Sequence, residues 1–476
     1  MGEKTMSKKL FLILLLVGTL VLAGCAPAAP ADDEPAADAE TEEPTEEMSD
    51  DAEATEEATE EAEDAEEATE EAEPMDEGEA VTLTMGSWRV DDVEQMNTIF
   101  DAFTAEYPNI TIEFDPTNPP EYNAALRTQL EAGTAPDLFY LRSFATSRQL
   151  FEEGFVEPLD DLAGLEDNFS ADALSAWSTE DGQHYGVPMI AVSHGIYYNV
   201  DLYNELGLEV PETWEQLLDN AQAIQDAGYI PFANASGDEW TIAEIVFMNL
   251  APNFIGGVEG RQAYLDGERC FNDENVVAAF QAVADVAPYL PDGQEALTYY
   301  DSQQLFLLGE AAMWFGGSWD IPFFESEAPE FEWSIFAVPA TEGQEEEYVT
   351  FHLDAGMGIN AASENTEAAR TFLEWMTTSE FASLLGNELP GFFPIHSEAP
   401  ALDNEHAATF IGLNEGRGLD VRWAWPVLLG GAPDGYTLMQ SGAVGVINGD
   451  LTPQEAADAL QDGLAEWYEP AQTCGE

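Results

Sequence analysis

Val81-Thr82-Leu83-Thr84-Met85-Gly86 alternates along its length. The apolar residues Val93, Met96, Ile99, Phe100 and Phe103 then fall at helical spacing, and Ile110-Thr111-Ile112-Glu113-Phe114 alternates again. The apolar period thus runs from two to about 3.6 and back to two. The first six residues are β-formers closed by glycine, which predicts a strand and then a turn at Ser87-Trp88. The second set predicts a helix that Asp91 or Asp92 caps and Tyr107-Pro108-Asn109 stops. A second helix over 121–132, ended by Gly133, and a third strand in Ala135-Pro136-Asp137-Leu138-Phe139-Tyr140-Leu141 repeat the unit. Strand and helix alternate, so the expected class is α/β, with ligands gathered at the carboxyl ends of strands.

Downstream, Gly195-Ile196-Tyr197-Tyr198-Asn199 reads as a strand, and a short helix from Asp201 stops at Gly207. Thr213 and Gln216 form a capping-box pattern at the head of the next helix, and the chain is mainly helical from there to about residue 290. Strands are expected at 311–315, near 336–339 and at 356–359. Helices are expected at 366–376 and over 442–465, with a break near Asn448-Gly449.

The chain opens differently. Lys8 and Lys9, an apolar run over 10–22 and Leu20-Val21-Leu22-Ala23-Gly24-Cys25 resemble a bacterial lipoprotein export signal, which implies cleavage before Cys25 and lipidation of its thiol. A 13-residue run falls short of the roughly 20 apolar residues that cross a bilayer. From 26 to 80 there are 26 Asp or Glu, no Lys or Arg, and Thr-Glu-Glu starting at Thr41, Thr45, Thr55, Thr59 and Thr69. A segment with such charge and no aromatic residue cannot bury a core and is expected to be a disordered acidic tether, with a reach of roughly 40 Å. The expected organisation is a signal peptide at 1–24, Cys25 and linker at 25–80, and a folded part at 81–476.

That folded part holds all 11 Trp, nine Arg and 68 carboxylates, a formal balance of −59. Phosphate-bearing nucleic acid and anionic lipid are repelled by such a surface, so neither is an expected partner. Its length suits two lobes better than one core. With Cys25 lipidated, Cys270 and Cys474 are an even pair in an exported chain and are expected to form a disulfide. No CxxC, HExxH or calcium-loop spacing occurs, so no metal or cofactor is expected. Enzymatic activity is not expected either. Among 68 carboxylates some pair always meets a glycosidase spacing, GxSxG is absent, and Ser193-His194 and His396-Ser397 lack a visible third partner. A surface adhesin or scaffold leaves the two-lobe strand order unexplained.

Several segments, in order, resemble the extracellular solute-binding lipoproteins of ABC sugar importers, the group that includes maltose-binding protein. They are Ala135-Pro136-Asp137-Leu138, Gly154-Phe155-Val156-Glu157-Pro158-Leu159, Gly186-Val187-Pro188, Tyr197-Tyr198-Asn199-Val200-Asp201-Leu202, Pro211-Glu212-Thr213-Trp214-Glu215-Gln216-Leu217, Gly309-Glu310-Ala311-Ala312-Met313, Gly358-Ile359-Asn360-Ala361-Ala362 and 368–376. The resemblance implies a periplasmic-binding-protein-like (type II) fold of two α/β lobes with a hinge and a ligand cleft. Lobe 1 would hold about 81–189 and 337–386, and lobe 2 about 190–336 and 387–476. It implies a monomeric carbohydrate receptor outside the cytoplasm, anchored to the membrane by its N-terminal lipid, that closes on a sugar and delivers it to a permease.

Position within that fold nominates ligand-binding residues. Ser87 and Trp88 follow the first strand, Asp137 opens the third, and Arg142 and Ser143 close it. Glu239 and Trp240 match a family loop with a carboxylate and an aromatic platform. Trp319 and Asp320 sit in Phe315-Gly316-Gly317-Ser318-Trp319-Asp320, matching a glycine-flanked tryptophan that stacks on sugar in relatives. His352 and Asp354 precede the 356–359 strand, and Trp423, Trp425 and Tyr436 lie in the late segment. Trp423 and Trp425 point to opposite faces of an extended chain, so at most one reaches the cleft. Trp214, Trp314 and Trp375 read as packing. The aromatic supply points to a neutral oligosaccharide or glycoside. A glycerol-phosphate or polyol-phosphate ligand is the alternative, but it asks for a basic cleft, and only Arg89, Arg142 and Arg422 lie near cleft loops. Maltose itself does not follow, because several of its polar contacts have no match here.

Overall fold

The computed structural model describes residues 80–475 apart from Glu345 and Ala399. The export signal, Cys25 and the acidic linker lie outside the described residues. Ten strands occur among those described: β1 (Val81–Ser87), β2 (Ile110–Pro116), β3 (Leu138–Arg142), β4 (Val187–Asn199), β5 (Ile230–Phe232), β6 (Ala311–Gly317), β7 (Trp333–Phe336), β8 (Tyr348–Ile359), β9 (Phe393–Pro394) and β10 (Gly418–Asp420). They join in the order β2-β1-β3-β8-β4-β6-β5, with β7 and β9 on β4 and β10 on β8. β1 runs parallel to β2 and β3, whereas β8 and β4 are antiparallel to their neighbours on that path.

Two separate interiors make this a two-lobe α/β protein. Leu83, Met85, Ile99, Phe103, Leu141, Met357 and Phe372 build the first. The second centres on Ile196, Phe232, Phe247, Phe280, Met313 and Leu460, with a flanking cluster around Tyr197, Phe306, Trp314 and Phe324. Long strands connect them. β4 contributes Val187 and Val192 to the first interior and Ile196 to the second. β8 starts beside β10, pairs with β4 between Phe351 and Met357, and finishes against β3. The β4–β8 ladder shifts register on either side of Ile190.

The lobe boundaries differ from the sequence expectation. Val338 packs in the second interior, and Asn253 Nδ2 donates to the Val338 and Tyr348 carbonyls. The return crossing is made within β8, later than residue 337. The first interior extends to Leu389 and Phe392, beyond 386.

Local signals meet competition from side chains. Gly133 ends the Pro119–Ala132 helix in a left-handed conformation (φ 67°), which glycine adopts without a Cβ penalty. Asp92 occupies the N-cap of the Val93–Glu106 helix, but its carboxylate binds Arg89 Nε at 2.6 Å instead of capping. Thr213 accepts the Gln216 N–H at 3.2 Å, while Gln216 Oε1 takes the Glu212 N–H, so only half of the capping box forms. Cys270 and Cys474 are disulfide-bonded, tying the tail to the second lobe. Trp214, Trp314 and Trp375 are buried.

Candidate functional site at the lobe junction

Trp88 follows β1 and Arg142 ends β3, so both stand at the carboxyl edge of the first lobe's parallel strands. Tyr122 and Tyr140 meet the Trp88 ring edge-on at 5.4 and 5.3 Å, and the Arg142 guanidinium lies 3.7 Å from its centre. Burial lowers the Arg142 pKa, with Asp354 and Glu244 opposing. Arg142 Nε has no hydrogen-bond partner. Next to it, Ser143 Oγ lies 3.3 Å from His352 Nε2.

His352 and Asp354 sit on β8 where it crosses between lobes. The Trp425 ring is 5.4 Å from His352 and 5.9 Å from Tyr436, whose hydroxyl donates to Glu244 Oε1 at 2.7 Å. Glu244 projects from the π-helical turn Thr241–Phe247, a geometry often found at functional sites. Arg422 Nη1 bridges Glu244 (2.8 Å) and Asp354 (3.3 Å), and Arg422 Nε donates to His194 Nε2 at 3.4 Å. That donation makes Nε2 an acceptor, so the His194 proton belongs on Nδ1, 3.1 Å from the Thr350 carbonyl. Burial and the Arg422 charge hold the pKa values of both His194 and His352 well below the usual imidazole range, so both are neutral.

The Arg422 guanidinium lies 5.3 Å from the Trp319 ring centre, and His194 meets that ring edge-on at 5.1 Å. Trp319 packs against both lobe interiors. A Cβ at Gly317 falls 2.0 Å from the Trp319 ring, so the glycine makes room for this tryptophan itself. The Ser318 hydroxyl accepts the Ser193 N–H at 3.0 Å and donates to the Gly391 carbonyl, fixing the turn to β4 and to the first lobe's last segment. Trp319 Nε1 donates to Tyr299, Tyr299 donates to Asp320, and the Trp240 ring is 4.9 Å from Tyr299. Burial pushes the Asp320 pKa up to about 7, despite bonds from Tyr299, the Gly317 N–H and Gln303.

Trp88, Arg142, Ser143, His352, Asp354, Trp425, Tyr436, Trp319, Asp320 and Trp240 thus form one connected set. Four nominees lie apart from that set. Ser87 is fully buried, its hydroxyl accepting the Arg89 N–H, and shapes the turn. Asp137 lies at the opposite end of β3 from Arg142 and is occupied by Thr84, Ser363 and Asn365. Glu239 is exposed and bonds Gln440. Trp423 faces Phe247, Tyr264 and Phe271 in the second interior, while its neighbour Trp425 turns to the junction. Sequence reasoning missed Glu244, Tyr299 and His194, and left Arg422 among cleft-loop arginines without a role. Glu244 had a signal, being a lone carboxylate inside Ile242-Ala243-Glu244-Ile245-Val246-Phe247.

Two surface hollows on the first lobe, one beside Glu113, Asp115 and Gln129 and one beside Arg148 and His184, gather no comparable set. Among the described residues, no group of three or more His, Cys, Asp or Glu is placed to hold a metal ion.

Two α/β lobes joined by crossing strands, with aromatic rings and fixed polar groups where they meet, define a binding protein that holds a small solute between domains. The chain belongs to the bacterial extracellular solute-binding protein family, whose model matches residues 87–382. Its place is therefore outside the cytoplasm. It is 25% identical over 295 residues to the multiple sugar-binding protein of Streptococcus mutans, covering 60% of this chain and 68% of that one. It is 24% identical to an uncharacterised ABC transporter extracellular-binding protein of Pyrococcus horikoshii over 65% of this chain and 70% of that one. The solved solute-binding protein RafE in complex with raffinose superposes with a TM-score of 0.67 at 24% identity, covering 83% of this chain and all of that one.

Proposed function

We propose that the chain is the receptor of an ABC importer, which captures a carbohydrate, an oligosaccharide or glycoside, between its lobes and presents it to a permease without altering it. The observation that carries this reading is the placement of Trp319, gripped by both interiors and linked through Arg422 and Glu244 to Tyr436 and Trp425. Aromatic faces suit the C–H sides of sugar rings, and Asp354, His352, Ser143 and the arginines supply partners for hydroxyls that are costly to bury unpaired. The sugar-binding relative and the raffinose complex support the same ligand class. A phosphate ligand is disfavoured because Arg89 and Arg422 are already engaged by Asp92, Glu244 and Asp354, leaving one guanidinium for a dianion. Lipid on Cys25 would hold a monomeric receptor at the membrane, with the acidic linker as its tether.

A thermal-shift screen of the full chain against saccharides, with glycerol phosphate and peptides as controls, tests the reading. A ligand that binds only the folded state raises Tm. A saturable rise with a saccharide, lost in Trp319→Ala and without consumption of the sugar, supports it. A rise with phosphates or peptides alone overturns it, as does turnover of the sugar.

A further inference from the structure

The chain has 95 Asp and Glu against 12 Lys and Arg, so an arginine finds a carboxylate with little effort. Eight of the nine arginines among the described residues have one within 4 Å. Arg142 is the exception. It stands at the lobe junction, held over Trp88 at 3.7 Å, with its Nε unpartnered. Two further buried nitrogens near it lack partners, Nδ1 of His352 and Nε1 of Trp425, whose rings lie 5.4 Å apart. The indole nitrogen is a donor only. When Ser143 donates to His352 Nε2, the imidazole proton sits on Nδ1 and becomes a donor too.

The acceptors at the junction are mostly spoken for. Glu244 takes Tyr436 on one oxygen and Arg422 on the other, and Asp354 gives one oxygen to Arg422. Arg422 is thereby ion-paired to both carboxylates, whereas Arg142 feels Asp354 and Glu244 only from beyond ion-pair distance and keeps a forked set of donors. A hydroxyl can accept from these donors but brings no negative charge to pair with Arg142. A carboxylate brings two acceptor oxygens and one negative charge, in the geometry a guanidinium fork receives bidentately. A phosphate monoester can meet the same fork but brings up to two negative charges to a single unpaired guanidinium.

We infer that the saccharide carries a carboxylate, as a uronic acid unit does, and that this group docks on Arg142 beside Trp88. The inference rests on the carbohydrate-receptor reading and departs from the neutral sugar expected from the sequence by giving one unit a single negative charge. Trp319 and Trp425 then serve the rings of neighbouring units, and Arg142 selects the charge.

Calorimetric titration of the full chain with matched pairs tests this. Oligosaccharides of galacturonic and of glucuronic acid are each compared with their methyl esters, which keep the ring and remove the charge, and with sulfated and neutral oligosaccharides of similar length. The expected result is an acid bound about 10- to 100-fold more tightly than its ester, the range of one charge-assisted pair. Arg142→Gln should bring acid and ester to the same affinity, and Arg142→Lys should keep part of the preference. The acid-to-ester ratio of the unaltered chain decides the matter even where a variant fails to fold. Equal affinity for acid and ester, a preference for sulfate, or binding of neutral sugars alone overturns the carboxylate and leaves the receptor reading standing. Binding of no saccharide of any charge overturns both.

Discussion

Trp319 hands its Nε1–H to the Tyr299 hydroxyl at 3.0 Å, and Tyr299 hands its own proton to the buried carboxylate of Asp320. The ring that touches both lobe interiors is therefore oriented by a two-step relay ending in one acid.

Burial raises the Asp320 pKa from 3.8 to about 7. In the unfolded chain the group ionises near 4, so between about pH 4 and 7 the folded state holds more protons. The stability this group contributes is full below about pH 4 and is lost as pH rises through about 7. The difference in Tm between the unaltered chain and Asp320→Asn should accordingly shrink in favour of the variant from about pH 4.5 to 8. A difference that does not change with pH contradicts the assignment.

The paired tryptophans of the late segment separate binding from folding. Trp425→Ala should weaken saccharide binding at least about 10-fold, as expected of an aromatic contact at a binding centre. Trp423→Phe, set among Phe247, Tyr264 and Phe271, should cost about 1–3 kcal/mol of stability and leave affinity unchanged. Denaturant titration and calorimetry on the same two preparations read both effects.

Asp137 should behave as a structural acid. Burial works to raise its pKa, but bonds from Ser363, Thr84 and Asn365 overcome that and hold it below the usual carboxylate range. Its contribution is present above the unfolded pKa near 4 and lost as pH falls through the lower folded value. Asp137→Ala should lower stability by about 1–2 kcal/mol at neutral pH and leave ligand affinity intact. Urea unfolding beside a binding isotherm checks this.

Reducing the Cys270–Cys474 bond reopens a loop with a sequence separation of 204 residues. Chain entropy alone sets an upper value of about 5 kcal/mol for its loss. Cys474→Ser should unfold at lower temperature than the unaltered chain in the absence of reductant, and the two should converge when a thiol is added.

The elements legible in the sequence are those with one wet face. The Val93–Glu106 helix and the first strand announced themselves because solvent-facing polar residues interrupt their apolar ones. β4 did not, apart from its last five residues. It passes between two interiors with nearly every position buried, so it has no polar face to set a period. The same burial hid the point where the chain returns to the first lobe within β8. At the site, Trp319 was legible from its glycines and Trp425 from alternation with Trp423, both local patterns. Glu244 and Arg422 acquire their roles only from each other, across a distance in sequence that no motif spans. Asp137 looked like a site residue because strand ends gather ligands, but it stands at the wrong end of its strand.

The lobes are joined less by a pin than by a flexure. β4 and β8 cross as a hydrogen-bonded antiparallel pair from Val187 to Ser193, and the register shifts around Ile190 mark where that ladder is already irregular. A ribbon of this kind can bend with its ladder bonds intact, so a change of lobe angle at this point would be taken up as strand torsion. His352 and Asp354 are carried on β8 within this ribbon, so a change in its twist would move both side chains together.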